Sequence, residues 1–313
     1  MLNISFHFFI IFNSFGNILM TDFFLTVFTP TYNRANLLKN AFKSLNNQSC
    51  FDFEWLIIDD GSIDNTQDVV KDFKTEKFTI RYFKQQNGGK HRAINQAVQL
   101  AKGKFFLILD SDDELKENAV EMIRKFCNQI STLPNYNQFA GVAGERISRE
   151  GKLLCGKGTK DYFVDATNLQ RKKYHLGGDM AEVYKTSLLK EYPFKEFNNE
   201  NFLTENTVWD KIAEDGYKIR WFKEPFYVCD YLNDGLTKNL LDNESNSFEG
   251  FTYATCESIR LGDFTRKVHS VYEYWRVAKN KKLKMKDISR RLNSNIFFLS
   301  FCILVSKIYL LFK

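Results

Sequence analysis

The chain has no CxxC or CxxxC pair: its six cysteines stand apart at 50, 127, 155, 229, 256 and 302. That scatter argues against a zinc site and suits a reducing compartment. Lys and Arg are missing before Arg34, so the apolar residues 1–19 lack the basic flank of a secretory signal. Met20 directly precedes the first convincing strand, and residues 1–19 read as an upstream extension. There are no internal repeats and no low-complexity linkers, and with 26% charged residues the chain falls outside the disordered and fibrous classes. Basic residues are not spread over the sequence either. Lys279, Lys281, Lys282, Lys284, Lys286, Arg290 and Arg291 face only Asp287, and this stretch accounts for the net charge of +6. Such a tail is unlike a nucleic-acid groove, and no nucleic-acid partner is expected.

What is present is a core-forming composition, 44% hydrophobic over 313 residues, enough for one large α/β domain or two fused halves. Short apolar runs alternate with helical patterns through the first ~130 residues, as βαβ units do. Strands are expected at Phe23–Phe28, Trp55–Ile58, Phe78–Phe83 and Lys104–Leu109. Helices are expected around Leu37–Leu45, Ile94–Ala101 and Ala119–Cys127. Further on, Phe139–Ile147 reads as a strand, Ser187–Tyr192 as a short helix and 207–215 as another. Ile219–Phe222 and Phe226–Tyr231 read as two strands, and 245–278 as helical. The resulting divisions are 1–19, 20–135, 136–235, 236–295 and 296–313.

Polar clusters follow the strand ends, where open α/β sheets bind ligands. Turn chemistry accounts for Gly61-Ser62. It does not account for Asp110-Ser111-Asp112-Asp113, whose carboxylates repel one another without a cation. A D-x-D turn after a buried strand suits Mg²⁺ or Mn²⁺, which is held by one or two carboxylates plus substrate phosphates. Asn87-Gly88-Gly89-Lys90-His91 opens a helix and lets backbone approach a phosphate. It lacks the G-x-x-x-x-G-K-[ST] of a P-loop.

In order, Thr29-Pro30-Thr31-Tyr32-Asn33-Arg34, Asp59-Asp60-Gly61-Ser62, Asn87-x-Gly89-Lys90 and Asp110-Ser111-Asp112 resemble the family 2 glycosyltransferases of GT-A fold. The likeness covers about 23–130, and more loosely extends through Gly178-Asp179 and Thr204-Glu205-Asn206 to about 235. It implies an α/β, GT-A-like fold, with a mostly parallel central sheet and flanking helices. A helical C-terminal extension would follow. It also implies metal-dependent inverting transfer from a nucleotide-sugar, expected to be a UDP-sugar, to a saccharide or lipid-linked acceptor in cell-surface polysaccharide synthesis. By resemblance, Thr29, Thr31 and Tyr32 would cradle the nucleoside, with Arg34 nearby. Asp59 would accept from the base, and Ser111 would sit among the donor-binding residues. Lys90 would face the diphosphate, Asp110 would contact ribose or metal, and Asp112 would ligate the metal.

One departure concerns the base. The late motif usually ends Glu-Asp, but here it reads Glu205-Asn206, and an amide cannot take up a proton. Glu205, Asp210 and Asp179 are the candidates. Trp209 could stack on a sugar or sit in the core. A degenerate nucleotide-sugar-binding protein is one alternative. A nucleotidyltransferase is the other, although Thr29–Arg34 lacks the glycine such a loop needs. Ile296–Phe312 is apolar but, at 17 residues with Lys307 inside, short of the ~20 needed for a span. Beside the basic run it suits a peripheral position on the inner face of the cytoplasmic membrane.

Overall fold

The computed structural model describes residues 23–154, 161–229 and 240–312. The extension at 1–19, Met20, Cys155 and Tyr231 lie outside the described residues. Two compact units emerge. The first takes the described residues up to Asn87, Ala93–Pro193, and those from Gly216 through the last strand. The second takes Gly88–Arg92, Phe194–Asp215 and everything described from Leu240 on.

In the first unit β1 (Phe23–Thr31), α1 (Ala35–Asn46), β2 (Phe53–Asp59), α2 (Thr66–Asp72) and β3 (Thr79–Lys84) follow one another. Then come α3 (Lys90–Leu100, its first turn assigned to the second unit), β4 (Gly103–Ile108), β5 (Glu114–Leu115) and α4 (Ala119–Ser131). The unit is completed by β6 (Phe139–Ile147), β7 (Phe163–Ala166), β8 (Met180–Lys185), α5 (Thr186–Glu191) and β9 (Lys218–Val228). Among the described residues, the nine strands share one sheet, ordered β3-β2-β1-β4-β8-β6-β9-β5, with β7 on β9. β3, β2, β1 and β4 run parallel. Beyond β4 the sheet is mixed: β8 is antiparallel to β4 and β6, and β6 is parallel to β9. The parallel part matches the βαβ reading, and the mixed part arises where β8 lies antiparallel between β4 and β6.

β1 and β2 are buried on both faces, which is why they read as continuous apolar runs. Leu25, Val27, Trp55 and Ile57 share one core with Leu38, Ala41 and Leu45 of α1 and Val120, Ile123 and Phe126 of α4. Phe126 stacks on Phe222 at 3.7 Å between centroids, a contact that adds about 0.5–1.5 kcal/mol beyond its buried area.

The two late strands expected from sequence are one. β9 runs through Pro225, which supplies no N–H, and the β6–β9 register slips around Glu145, opposite that proline. A bulge absorbs what would otherwise break the strand.

The second unit is helical: α6 (Asn206–Glu214), α7 (Leu240–Asn246), α8 (Phe248–Leu261), α9 (Phe264–Asn280), α10 (Met285–Arg291) and α11 (Ile296–Leu311). Asp263 caps α9 through the Arg266 N–H at 2.9 Å, and Asn295 caps α11 through the Phe297 N–H at 2.7 Å. Its core joins Val268, Val271, Tyr274 and Val277 of α9 to Leu299, Cys302 and Ile303 of α11. Among the described residues no single helix is long and apolar enough to cross a membrane. α10 and α11 qualify only as a pair, and that pair is bent by 106°.

Candidate active site

In the first unit the parallel register aligns the C-terminal ends of β1, β2 and β4. Thr31 lies opposite Asp59, and the Leu109 N–H donates to the Phe28 carbonyl at 2.8 Å. The expected donor-binding residues that belong to this unit therefore lie at or just past the C-terminal ends of the parallel strands, but their side chains differ in availability. Thr29 is fully buried, and its hydroxyl accepts from Trp55 Nε1 at 2.9 Å, so it buttresses the strand. Thr31 is also buried, yet among the described residues its Oγ1 has no hydrogen-bond partner. Such an orphan is costly unless something else satisfies it, and a nucleoside could. Tyr32 is exposed. Asn33, in left-handed backbone at φ 53°, cross-links the loops: its N–H donates to Ser62 Oγ at 2.8 Å, and its Oδ1 accepts from the Ile63 N–H at 2.8 Å.

Asp59 is fully buried, accepting from the Ser62 N–H at 2.7 Å and the Tyr82 hydroxyl at 2.5 Å. A nucleobase donor would have to share those oxygens. Gly61 follows at φ +87°, and a Cβ there would meet the Asn87 nitrogen at 2.8 Å, so the turn requires glycine.

The acidic turn after β4 is held from several sides. Arg34 Nη1 pairs with Asp112 Oδ2 at 2.8 Å, and Arg149 Nη2 donates to the Asp112 carbonyl at 3.1 Å. Ser111 is buried. The Asp113 N–H donates to the Asp110 carbonyl at 3.1 Å. β5 pairs with β9, setting Leu115 opposite Tyr227. The Tyr227 hydroxyl accepts from the Asp110 N–H at 3.0 Å and donates to Asp113 Oδ2 at 2.8 Å. Arg146 lies 4.3 Å from the Tyr227 ring centroid. Burial first, then the neighbouring Asp110 charge, pushes Asp113 up to about 8. That favours the protonated form of Asp113 at neutral pH, and Asp110 and Asp112 are the other two carboxyls of the turn.

Two carboxylates are what Mg²⁺ or Mn²⁺ uses when phosphates complete its shell, and the hard-oxygen chemistry fits. Among the described residues no group of three or more His, Cys, Asp or Glu converges to hold a metal unaided. Asp179 also belongs to this unit, exposed immediately before β8 and following Gly178 at φ 74°. β8 itself is a strand that the sequence reading did not include.

In the second unit, Gly89 has φ +92°, and a Cβ there would fall 1.7 Å from the Asn201 carbonyl oxygen. Only glycine fits, and the next residue opens α3. Lys90 Nζ pairs with Glu205 Oε1 at 2.9 Å. Glu205 stands just before α6 with its side chain 35% exposed, and Asn206 begins the helix. Asp210 is different: it is buried, and its Oδ2 accepts from Arg266. Trp209 is buried edge-on against Phe194, a core tryptophan. His91 is buried, and burial, then Arg92, pulls it down to about 4, so it is neutral at physiological pH.

Sequence reasoning missed Tyr227, Arg146 and Arg149. A tyrosine within an apolar strand reads only as core, and its role depends on the β5–β9 pairing, which leaves no local signal.

Residues 26–190 match the model of the family described as Glycosyl transferase family 2. A Campylobacter jejuni protein, "GalNAc(5)-diNAcBac-PP-undecaprenol beta-1,3-glucosyltransferase", is 29% identical over 87% of this chain and 89% of its own. Among solved structures, S. aureus TarS 1–349 in complex with UDP-GlcNAc has a TM-score of 0.56 at 20% identity, covering 82% of this chain and 72% of that one. Against a longer TarS chain the match spans 43% of that chain. The mannosyltransferase PcManGT from Pyrobaculum calidifontis, in complex with GDP-Man and Mn²⁺, has a TM-score of 0.50 at 18% identity, covering 82% of this chain and 73% of that one.

Proposed function

The chain belongs to glycosyl transferase family 2, and from that premise we propose that it moves a sugar from UDP, with inversion, onto a saccharide carried by a lipid diphosphate. It is a glycosyltransferase of GT-A fold, so the nucleotidyltransferase reading falls away. The observation that carries the proposal is the acidic turn after β4, tied by Arg34 and Tyr227, in the same unit as the orphaned Thr31 hydroxyl. Support for a UDP-sugar comes from TarS, and for a lipid-linked acceptor from the C. jejuni relative, whose name specifies undecaprenol-PP. The setting would be the inner face of the cell membrane, in cell-surface polysaccharide synthesis.

In this mechanism Thr31 and Tyr32 hold the nucleoside, with Asp59 accepting from the base. Arg34 fixes Asp112, and Lys90 faces the diphosphate. Asp112 and Asp110 would hold Mn²⁺ or Mg²⁺, which when bound offsets the charge of the departing diphosphate. Glu205 takes the proton of the acceptor hydroxyl while its oxygen attacks the anomeric carbon opposite the leaving group. The bond to UDP breaks as the new glycosidic bond forms. Asp179 remains available to orient the acceptor.

Thermal shift with UDP-glucose or UDP-GlcNAc, with and without EDTA, tests the donor and metal assignments. Stabilisation that requires Mn²⁺ or Mg²⁺ is expected. An equal shift in EDTA would count against Asp110 and Asp112 as metal ligands.

A further inference from the structure

α11 is apolar on two opposite faces. Leu299, Cys302 and Ile303 turn inward to the α9 core, and Ser306 Oγ donates to the Val268 carbonyl at 3.3 Å. At helical spacing on the other side, Phe297, Phe301, Leu304, Ile308 and Leu311 form one stripe, with Phe297 85% and Leu311 83% exposed. Phe264, at the start of α9, extends it, its ring 6.2 Å from that of Phe301. A helix on a water-facing surface keeps its outer face polar. This one does not, and its charge is displaced to one side.

Lys279, Lys281, Lys282, Lys284, Lys286 and Arg290 are all exposed at the end of α9 and through α10, against Asp287, which Arg290 holds at 3.6 Å. Lys279 and Lys307 each lie against the Trp275 ring, at 5.5 and 4.5 Å from its centroid. Lys307, the cation within α11, therefore lies back over α9.

We propose that α11 is an in-plane docking helix, its outer stripe seated in an anionic lipid surface with the neighbouring cations on the headgroups. Sixteen residues reach about 24 Å against a hydrocarbon core of about 30 Å. The inner face is already committed to α9. Lying in the interface satisfies both constraints, as amphipathic monotopic helices do. The cations favour anionic lipid and disfavour a second copy of the same basic surface. This inference does not depend on the donor site, because its test requires no turnover.

The full chain would be floated with phosphatidylcholine vesicles and with vesicles containing phosphatidylglycerol, at low and high salt. The variant Phe297→Ser/Leu304→Ser/Ile308→Ser changes exposed positions only. We expect strong binding to anionic vesicles, weakened by salt, and at least a tenfold loss of partitioning in the variant. Equal binding of variant and wild type would overturn the proposal, as would equal binding to neutral and anionic vesicles. Failure of the wild type to bind either, with a dimer that the variant abolishes in sedimentation, would assign the stripe to self-association. Circular dichroism and melting of the variant show that any loss is not unfolding.

Discussion

The two units hold their candidate site residues by different means. In the first, backbone register does the placing: Thr31 stands opposite Asp59, and Asp110 follows the end of β4, because β1, β2 and β4 are parallel and in step. Hydrogen bonds from Asn33, Arg149 and Tyr227 then fix the loops that follow. In the second unit, Glu205 is held by a side-chain ion pair with Lys90 at a helix start, where neighbouring positions reach similar space. A site set by strand register tolerates little change in its turns. A carboxylate on a helix start can shift by one residue, which is how Glu205 could serve where Asn206 cannot.

The largest effect that would sharpen this contrast lies at the base. Glu205→Gln should lower turnover by about 10²–10⁴-fold, the range for general-base catalysis, while Asn206→Asp changes it little. Steady-state rates of the two variants decide the matter. A rate raised by Asn206→Asp and indifferent to Glu205→Gln would mean that the position has not moved and that the site is impaired.

A smaller effect is expected in the first unit. Tyr227→Phe removes the donor to Asp113 Oδ2 and the acceptor for the Asp110 N–H. A buried hydrogen bond of this kind is worth about 1–1.5 kcal/mol net. The Mn²⁺ concentration for half-maximal turnover should therefore rise about tenfold, with saturated turnover much less affected. A lowered melting temperature with unchanged metal dependence would make Tyr227 a packing residue and break the comparison.

Legibility followed the same division. β1, β2 and β4 were readable because strands buried on both faces leave continuous apolar runs, and α1 and α4 because one face alone is buried. The acidic turn was readable because its carboxylates have no purely structural reason to adjoin. β8 was missed because Met180–Lys185 follows a glycine-rich loop and carries Glu182, which pairs with Arg171 at 3.7 Å within the fold. Asp210 looked equivalent to Glu205 because its partner, Arg266, lies 56 residues away. The outer stripe of α11 was visible as apolar sequence, but which face is packed and which is bare depends on α9, a partner distant in the sequence.

The central claim is tested most directly by acceptor-dependent release of UDP. Wild type and Asp112→Ala would be given UDP-glucose or UDP-GlcNAc, Mn²⁺ and a saccharide on undecaprenyl diphosphate. The account predicts release by the wild type only with acceptor present, and a fall of at least about 10²-fold in a folded Asp112→Ala, as loss of electrostatic stabilisation entails. Wild-type turnover in Asp112→Ala, or tight binding of the UDP-sugar by the wild type with no release on any acceptor, would contradict it.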